Sequence, residues 1–137
     1  MAKVAWIVPS IGVFNNPDGE LVIDSPITFI DLEVLPNNFS FDVSFGILEL
    51  DELKIYDLTF EIFDPDSESI FRTTVQIDKN NIVKEHPDKE FIDIFVSNAH
   101  LTNFKFEKYG VYSIQLRIEG DIANARFNVI KGRNKND

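Results

Sequence analysis

Residues 109–131 read YGVYSIQLRIEGDIANARFNVIK, and this stretch decides the fold. Tyr112, Ile114, Leu116 and Ile118 alternate with Ser113, Gln115, Arg117 and Glu119. Beyond Gly120-Asp121 the apolar set is Ala123, Ala125, Phe127 and Val129, alternating with Asn124, Arg126 and Asn128. A period of two marks a strand with one buried face and one wet face. Gly120 suits the first central position of a type II′ turn, because glycine takes a positive φ freely. That turn pairs Ile118 with Ala123, Leu116 with Ala125, Ile114 with Phe127 and Tyr112 with Val129. Every apolar residue then shares a face with its partner, and a one-residue slip would undo this.

The chain upstream carries the same period. Tyr56, Leu58, Phe60 and Ile62 precede the turn Asp64-Pro65-Asp66-Ser67, and Phe71, Thr73, Val75 and Ile77 follow it. This hairpin is self-consistent if Ile62 faces Phe71 and Leu58 faces Val75. Phe39, Phe41, Val43, Phe45 and Ile47 alternate with polar or small residues, and the phase changes after Gly46 to Leu48 and Leu50. A phase change beside a strand glycine predicts a β-bulge. Ile30, Leu32 and Val34 form another strand, and Leu21 to Ile23 a short one. Val4, Trp6 and Val8 open the chain, with Pro9 ending that strand or placing it at an edge. Asn15-Asn16-Pro17-Asp18-Gly19 is a dense turn signal. Residues 78–90 read as a long polar loop, broken at Ile82-Val83 by a short strand. Phe91 to Val96 is apolar on both faces, so it reads as either a buried strand or a helical turn. No stretch holds a helical period, and short strands with turns between them predict an antiparallel sandwich or barrel.

Glu107-Lys108-Tyr109-Gly110-Val111-Tyr112 narrows the choice. A Gly two residues before a Tyr, at the start of the penultimate strand, resembles the tyrosine corner of immunoglobulin-like sandwiches. Lys108 stands where that corner usually has Asp, and the two cysteines of antibody domains are absent. Leu35-Pro36 with Phe39 and Phe41, Phe63-Asp64-Pro65-Asp66, and Phe104, Phe106, Gly110, Tyr112 and Gly120 extend the likeness. Together they resemble a bacterial family of immunoglobulin-like β-sandwich proteins, with Ser67 in place of a turn glycine. That resemblance implies a fold and brings no activity with it. The expectation is one antiparallel, immunoglobulin-like β-sandwich of seven to nine strands in residues 1–130, followed by a flexible basic tail, residues 131–137.

The chain has 137 residues, 44% of them hydrophobic and thirteen of them Phe, enough for one domain with a sizeable core. Its net charge of −10 disfavours nucleic acids and anionic membranes. No apolar run is long enough for a membrane helix, and the N-terminus lacks the pattern of a signal peptide, which together predict a cytoplasmic protein. Without cysteine there are no disulfides and no thiolate metal sites. From Asp42 to Glu68 there are nine acidic residues and a single basic one, Lys54. Asp51, Glu52 and Asp57 in this run are candidates for docking a basic protein. The outward row Gln115, Arg117, Asn124 and Arg126 is the corresponding candidate for anionic ligands. Exposed edge strands would permit a homodimer by sheet extension, with Pro9 and Pro26 as guards.

Constellations for chemistry are sparse. Asp64, Asp66 and Glu68 alternate in one loop and are the metal candidates, yet Ca²⁺ needs six to eight oxygens and Asp-Pro-Asp-Ser is ordinary turn chemistry. His86 and His100 stand alone in polar stretches, without zinc spacing. Ser10 precedes Ile11-Gly12, and no G-x-S-x-G occurs. The six glycines are scattered rather than clustered before a helix, so no phosphate loop is present. A carboxylate-dependent hydrolase would need two acids at a set separation. Trp6, Tyr56 and Tyr112 lie in phase with apolar neighbours and are expected in the core, while Tyr109 breaks the pattern and is expected at the sandwich edge. The reading is a non-catalytic interaction or structural module without a cofactor. A ligand-binding sandwich for carbohydrate or Ca²⁺ is the second reading, and a hydrolase the third.

Overall fold

A computed structural model describes residues 1–51, 53–78 and 94–132. Nine strands run through them: β1 (Lys3–Asn15), β2 (Leu21–Pro26), β3 (Phe29–Asp31), β4 (Asn37–Leu48), β5 (Ile55–Phe63), β6 (Ser69–Asp78), β7 (Phe95–Phe106), β8 (Gly110–Ile118) and β9 (Asp121–Ile130). They form two sheets, of order β2-β1-β4-β7 and β3-β9-β8-β5-β6. The sheets pack face to face as a sandwich, with alternate residues of each strand meeting in the middle. Among the described residues no helix is long and apolar enough to cross a membrane.

The second sheet is not purely antiparallel. β3 runs parallel to β9, with Phe29 opposite Asn128 and Asp31 opposite Ile130. A short crossover explains this. Buried Ile27 carries the chain out of the first sheet, and buried Ile30 anchors it beside β9. The amide of Asn128 donates to Thr28 O and that of Leu32 to Ile130 O, both at 2.9 Å. The expected strand through Val34 therefore stops at Asp31, and Val34 is exposed.

The β8–β9 hairpin keeps its predicted faces and shifts its register by two. Ile118 faces Asp121, Leu116 faces Ala123, Ile114 faces Ala125 and Tyr112 faces Phe127. The turn is Glu119-Gly120, and it is Glu119 that takes the positive φ, 52°. An even shift leaves every side chain on its original face. Tertiary contacts select it. The Ala2 amide donates to Glu119 Oε1 at 2.8 Å and the Val4 amide to Asp121 Oδ2 at 2.7 Å. A left-handed Glu costs about 1 kcal/mol, whereas hydrogen bonds to charged groups contribute about 1.5–3 kcal/mol each. The β5–β6 hairpin has its expected pairs, Ile62 with Phe71 and Leu58 with Val75.

The bulge predicted in β4 lies across from it. Register breaks in β1 between Val4 and Trp6, opposite Ile47 and Gly46, so Ala5 is the extra residue. Trp6 then lies on the outer face of the first sheet, 36% exposed, and not in the core. A Cβ at position 46 would come within 2.7 Å of Trp6 Nε1, which is why a glycine stands there. The alternation of β4 persists through Ile47; Leu50 is buried only after Glu49 turns left-handed, φ 58°. β1 also runs straight through Pro9, which faces Val43. A second bulge sits in β7 at Asn103, φ 53°, whose amide donates to Ser40 Oγ at 2.9 Å. Phe95 and Val96 belong to β7, which makes that end of the ambiguous run a strand; residues 79–93, with His86, and the tail 133–137 lie outside the described residues.

One half of the interior is a cluster of rings. Phe106 meets Tyr112 edge-on at 5.1 Å and Phe127 at 6.0 Å, and Tyr112 stacks on Phe127 at 5.6 Å. Phe41 touches Phe104, Phe106 and Phe127. Each such pair contributes about 0.5–1.5 kcal/mol beyond burial. Tyr112 and Tyr56 are buried, as expected from their phase.

Candidate functional site

The other half of the interior opens as a cleft of about 540 Å³ between β6 and β7. β7 causes it. Phe95, Ser97, Ala99 and Leu101 point inward, and the two small residues in the middle leave a gap. Across from them β6 presents Thr73 and Val75, and Val75 is 49% exposed. Phe45, Leu58, Phe60 and Phe71 form the apolar walls, and Gln76, Asn98 and His100, whose side chains belong to the outer faces, border the cleft.

A polar row lies on the outer face of the first sheet, beside the cleft. Ser10, Asp42 and His100 occupy facing positions on β1, β4 and β7. His100 Nδ1 lies 2.7 Å from Asp42 Oδ1, and Asn98 Nδ2 donates to the same oxygen at 3.3 Å. The Asp42 carboxylate is buried, whereas the imidazole is 62% exposed. His100 is thus held on a buried acid, a partnership that its isolation in the sequence does not reveal. Neighbouring Ser44 Oγ is buried with no hydrogen-bond partner. The row holds Ser, Asp and His, but with the acid in the middle. Strands about 4.8 Å apart put the outer two nearly two strand spacings from each other. Ser10 Oγ donates instead to Gly12 O at 3.0 Å. A nucleophile needs its base within hydrogen-bond reach, so this row is not built as a catalytic relay.

Asp64 and Asp66 converge on an ammonium of the chain itself. Lys108 Nζ lies 2.9 Å from Asp64 Oδ2 and 2.7 Å from Asp66 Oδ2. Asp64 Oδ1 accepts the amides of Asp66 and Glu68 at 2.9 and 3.0 Å, the geometry of an Asx turn. Glu68 takes part through its backbone. The hydrogen bond from Lys108, helped by these amides, holds the Asp64 carboxyl below its ordinary value. Bonds to Asp66 and Asp64 raise the Lys108 ammonium well above its own. Tyr112 donates its hydroxyl to Lys108 O at 2.8 Å, and burial raises that phenol. The hydroxyl thus reaches back to the backbone four residues upstream, at the lysine that pairs with Asp64 and Asp66. Among the described residues no three His, Cys, Asp or Glu side chains converge as a metal site.

The remaining candidates are dispersed. Arg117 pairs with buried Glu61 at 3.2 Å, and Gln115 reaches Asn124 at 3.4 Å. Arg126 is exposed opposite Ser113, so the outward row exists, partly neutralised by Glu61. Asp57 lies on the outer face of β5, opposite Gln76. Asp51 caps its own loop, accepting the Leu53 amide at 2.9 Å while its own amide donates to Tyr56 Oη at 2.8 Å. Glu52 lies outside the described residues. Tyr109 is 37% exposed and donates to Leu32 O at 2.8 Å, tying the corner to the end of β3. No protein-family model matches the chain, and no curated protein matches it in sequence.

Proposed function

We propose that the protein is a non-catalytic binding module of the immunoglobulin-like class, and that it takes an apolar small molecule into the β6–β7 cleft. The cleft carries this reading. Its volume of about 540 Å³ falls within the range of about 300–1,000 Å³ usual for ligand sites. Its walls are aromatic and aliphatic. The class rests on strand neighbours. β1, β4 and β7 adjoin like strands A, B and E, and β9, β8 and β5 like G, F and C. The Tyr112–Lys108 bond adds to it. Asp51 is spent on its own turn, so the cleft is better supported than the acidic surface.

The test is titration with Nile red, a neutral apolar dye, with 1-dodecanol as competitor. The wild type is expected to enhance the dye's emission and to release it to the alcohol. Ala99→Leu fills the gap in β7 and is expected to weaken binding at least about tenfold with an unchanged circular dichroism spectrum. Equal binding by a folded Ala99→Leu variant, or none by the wild type, would overturn the proposal.

A further inference from the structure

Four strands form the sheet edges among the described residues: β2, β7, β3 and β6. Three of them carry devices that discourage pairing with another chain. β2 ends in a left-handed Ser25 followed by Pro26, β3 has three residues, and β7 is broken by its bulge at Asn103. β6 has none of these between Phe71 and Ile77. That segment reads FRTTVQI, without Pro or Gly and rich in β-formers. Thr73, Thr74, Val75 and Gln76 are all exposed, and among the described residues β6 pairs with β5 alone.

We infer that β6 is the homodimer interface, pairing antiparallel with β6 of a second copy about a twofold axis at Thr74. The occupant follows from self-complementarity. In that register Phe71 faces Ile77 of the other copy, Thr73 faces Val75, and Thr74 faces itself. Phe71, Thr73, Val75 and Ile77 point inward, opposite Ile62, Phe60, Leu58 and Tyr56, so the new pairs join apolar to apolar on the core side. Arg72 and Gln76 face each other on the outer side. Cross-strand pairs of this kind are the unit of sheet stabilisation, and a twofold axis requires the contact to match itself. Charge selects the same edge. Copies of a chain of net charge −10 repel one another. The segment Phe71–Ile77 holds one charge, the cation Arg72, which meets a neutral amide. Two five-stranded sheets would thereby become one of ten strands. The pairing uses the backbone edge of β6 on the side away from β5; Thr73 and Val75 also line the cleft, so the second copy would sit at its rim.

Because the chain has no cysteine, Thr74→Cys places a single thiol on the axis. Facing strand residues are close enough for a disulfide. Under mild oxidation Thr74→Cys is expected to give a covalent dimer at least about tenfold faster than Thr102→Cys, on exposed β7, does. Sedimentation velocity of the full chain is expected to show twice the 15.7 kDa protomer mass, and Val75→Lys to return it to the monomer. A wild type that stays monomeric at about 100 μM would overturn the inference. So would a dimer that Val75→Lys leaves intact and Thr74→Cys fails to lock.

Discussion

The half of the sandwich around Phe106 and the half that opens at β6 and β7 are built from the same strands, yet they are filled differently. β4 supplies Phe41 to one and Phe45 to the other; β7 supplies Phe104 and Phe106 to one, and Ser97 and Ala99 to the other. In the first half five rings interlock, and the Tyr112–Lys108 bond with a three-membered ionic knot closes the end. In the second the walls stand apart around about 540 Å³. Two small inward residues on one strand separate a filled end from an open one. Hydrophobic pattern alone sets the layers, while side-chain volume sets which part of the layer is solid.

The largest effect that would break this contrast is at the solid end. Phe106 is fully buried and touches Phe41, Phe104, Tyr112 and Phe127. Phe106→Ala is expected to cost about 3–5 kcal/mol, because packed neighbours collapse only partly into the space left. Urea unfolding measures it. Ala99→Leu, which adds volume to the open half, should cost less than about 1.5 kcal/mol on the same scale. If Phe106→Ala costs no more than Ala99→Leu, the two halves are equally tight and the contrast fails.

What sequence made legible follows the same division by locality. Faces were legible wherever alternation is unbroken: Tyr112 to Ile118, Tyr56 to Ile62, Phe39 to Ile47. The β5–β6 pairing and the corner around Tyr112 were legible because their partners are close in the chain. Register at Glu119 was not, because the amides of Ala2 and Val4, 117 residues away, select the turn. Trp6 was misplaced because its seat, Gly46, lies on another strand and only pairing brings them together. The His100–Asp42 contact spans 58 residues and the cleft joins β6 to β7, so neither leaves a local signal.

A smaller effect sharpens the account of the closed end. Gly110 opens β8 at φ 129°, and a Cβ there would lie 2.9 Å from Pro65 Cβ and Cγ. The corner can approach the Asp64–Asp66 turn only through this glycine. Gly110→Ala combines an unfavourable dihedral with a clash against a stiff ring, and is expected to cost about 1–3 kcal/mol. The loss should appear as a lower unfolding midpoint, while Nile red affinity at the far cleft stays within about twofold. A matching loss of dye binding would mean that the two halves are coupled rather than separately built.

The smallest effect concerns charge. Asp64→Asn keeps the Oδ1 acceptor for the Asp66 and Glu68 amides and replaces the charged Oδ2 acceptor facing Lys108 with a neutral NH2 group. The Asp64 carboxyl sits below its ordinary value of 3.8. Its contribution is therefore fully present above about pH 4 and is lost as pH falls through the depressed folded value. Lys108 titrates above its ordinary 10.5, so its share is present below that value and lost only as pH rises beyond it. The stability difference between wild type and Asp64→Asn should thus be flat from about pH 5 to 10 and shrink at both extremes. It should also shrink with added salt, since Lys108 and Asp66 face water and exposed ion pairs are screened. Urea midpoints across pH decide the matter. A difference that stays constant down to about pH 2 would mean that Asp64 holds the corner through the Asx turn alone. The closed end would then owe its stability to backbone geometry and ring packing, with Lys108 a bystander.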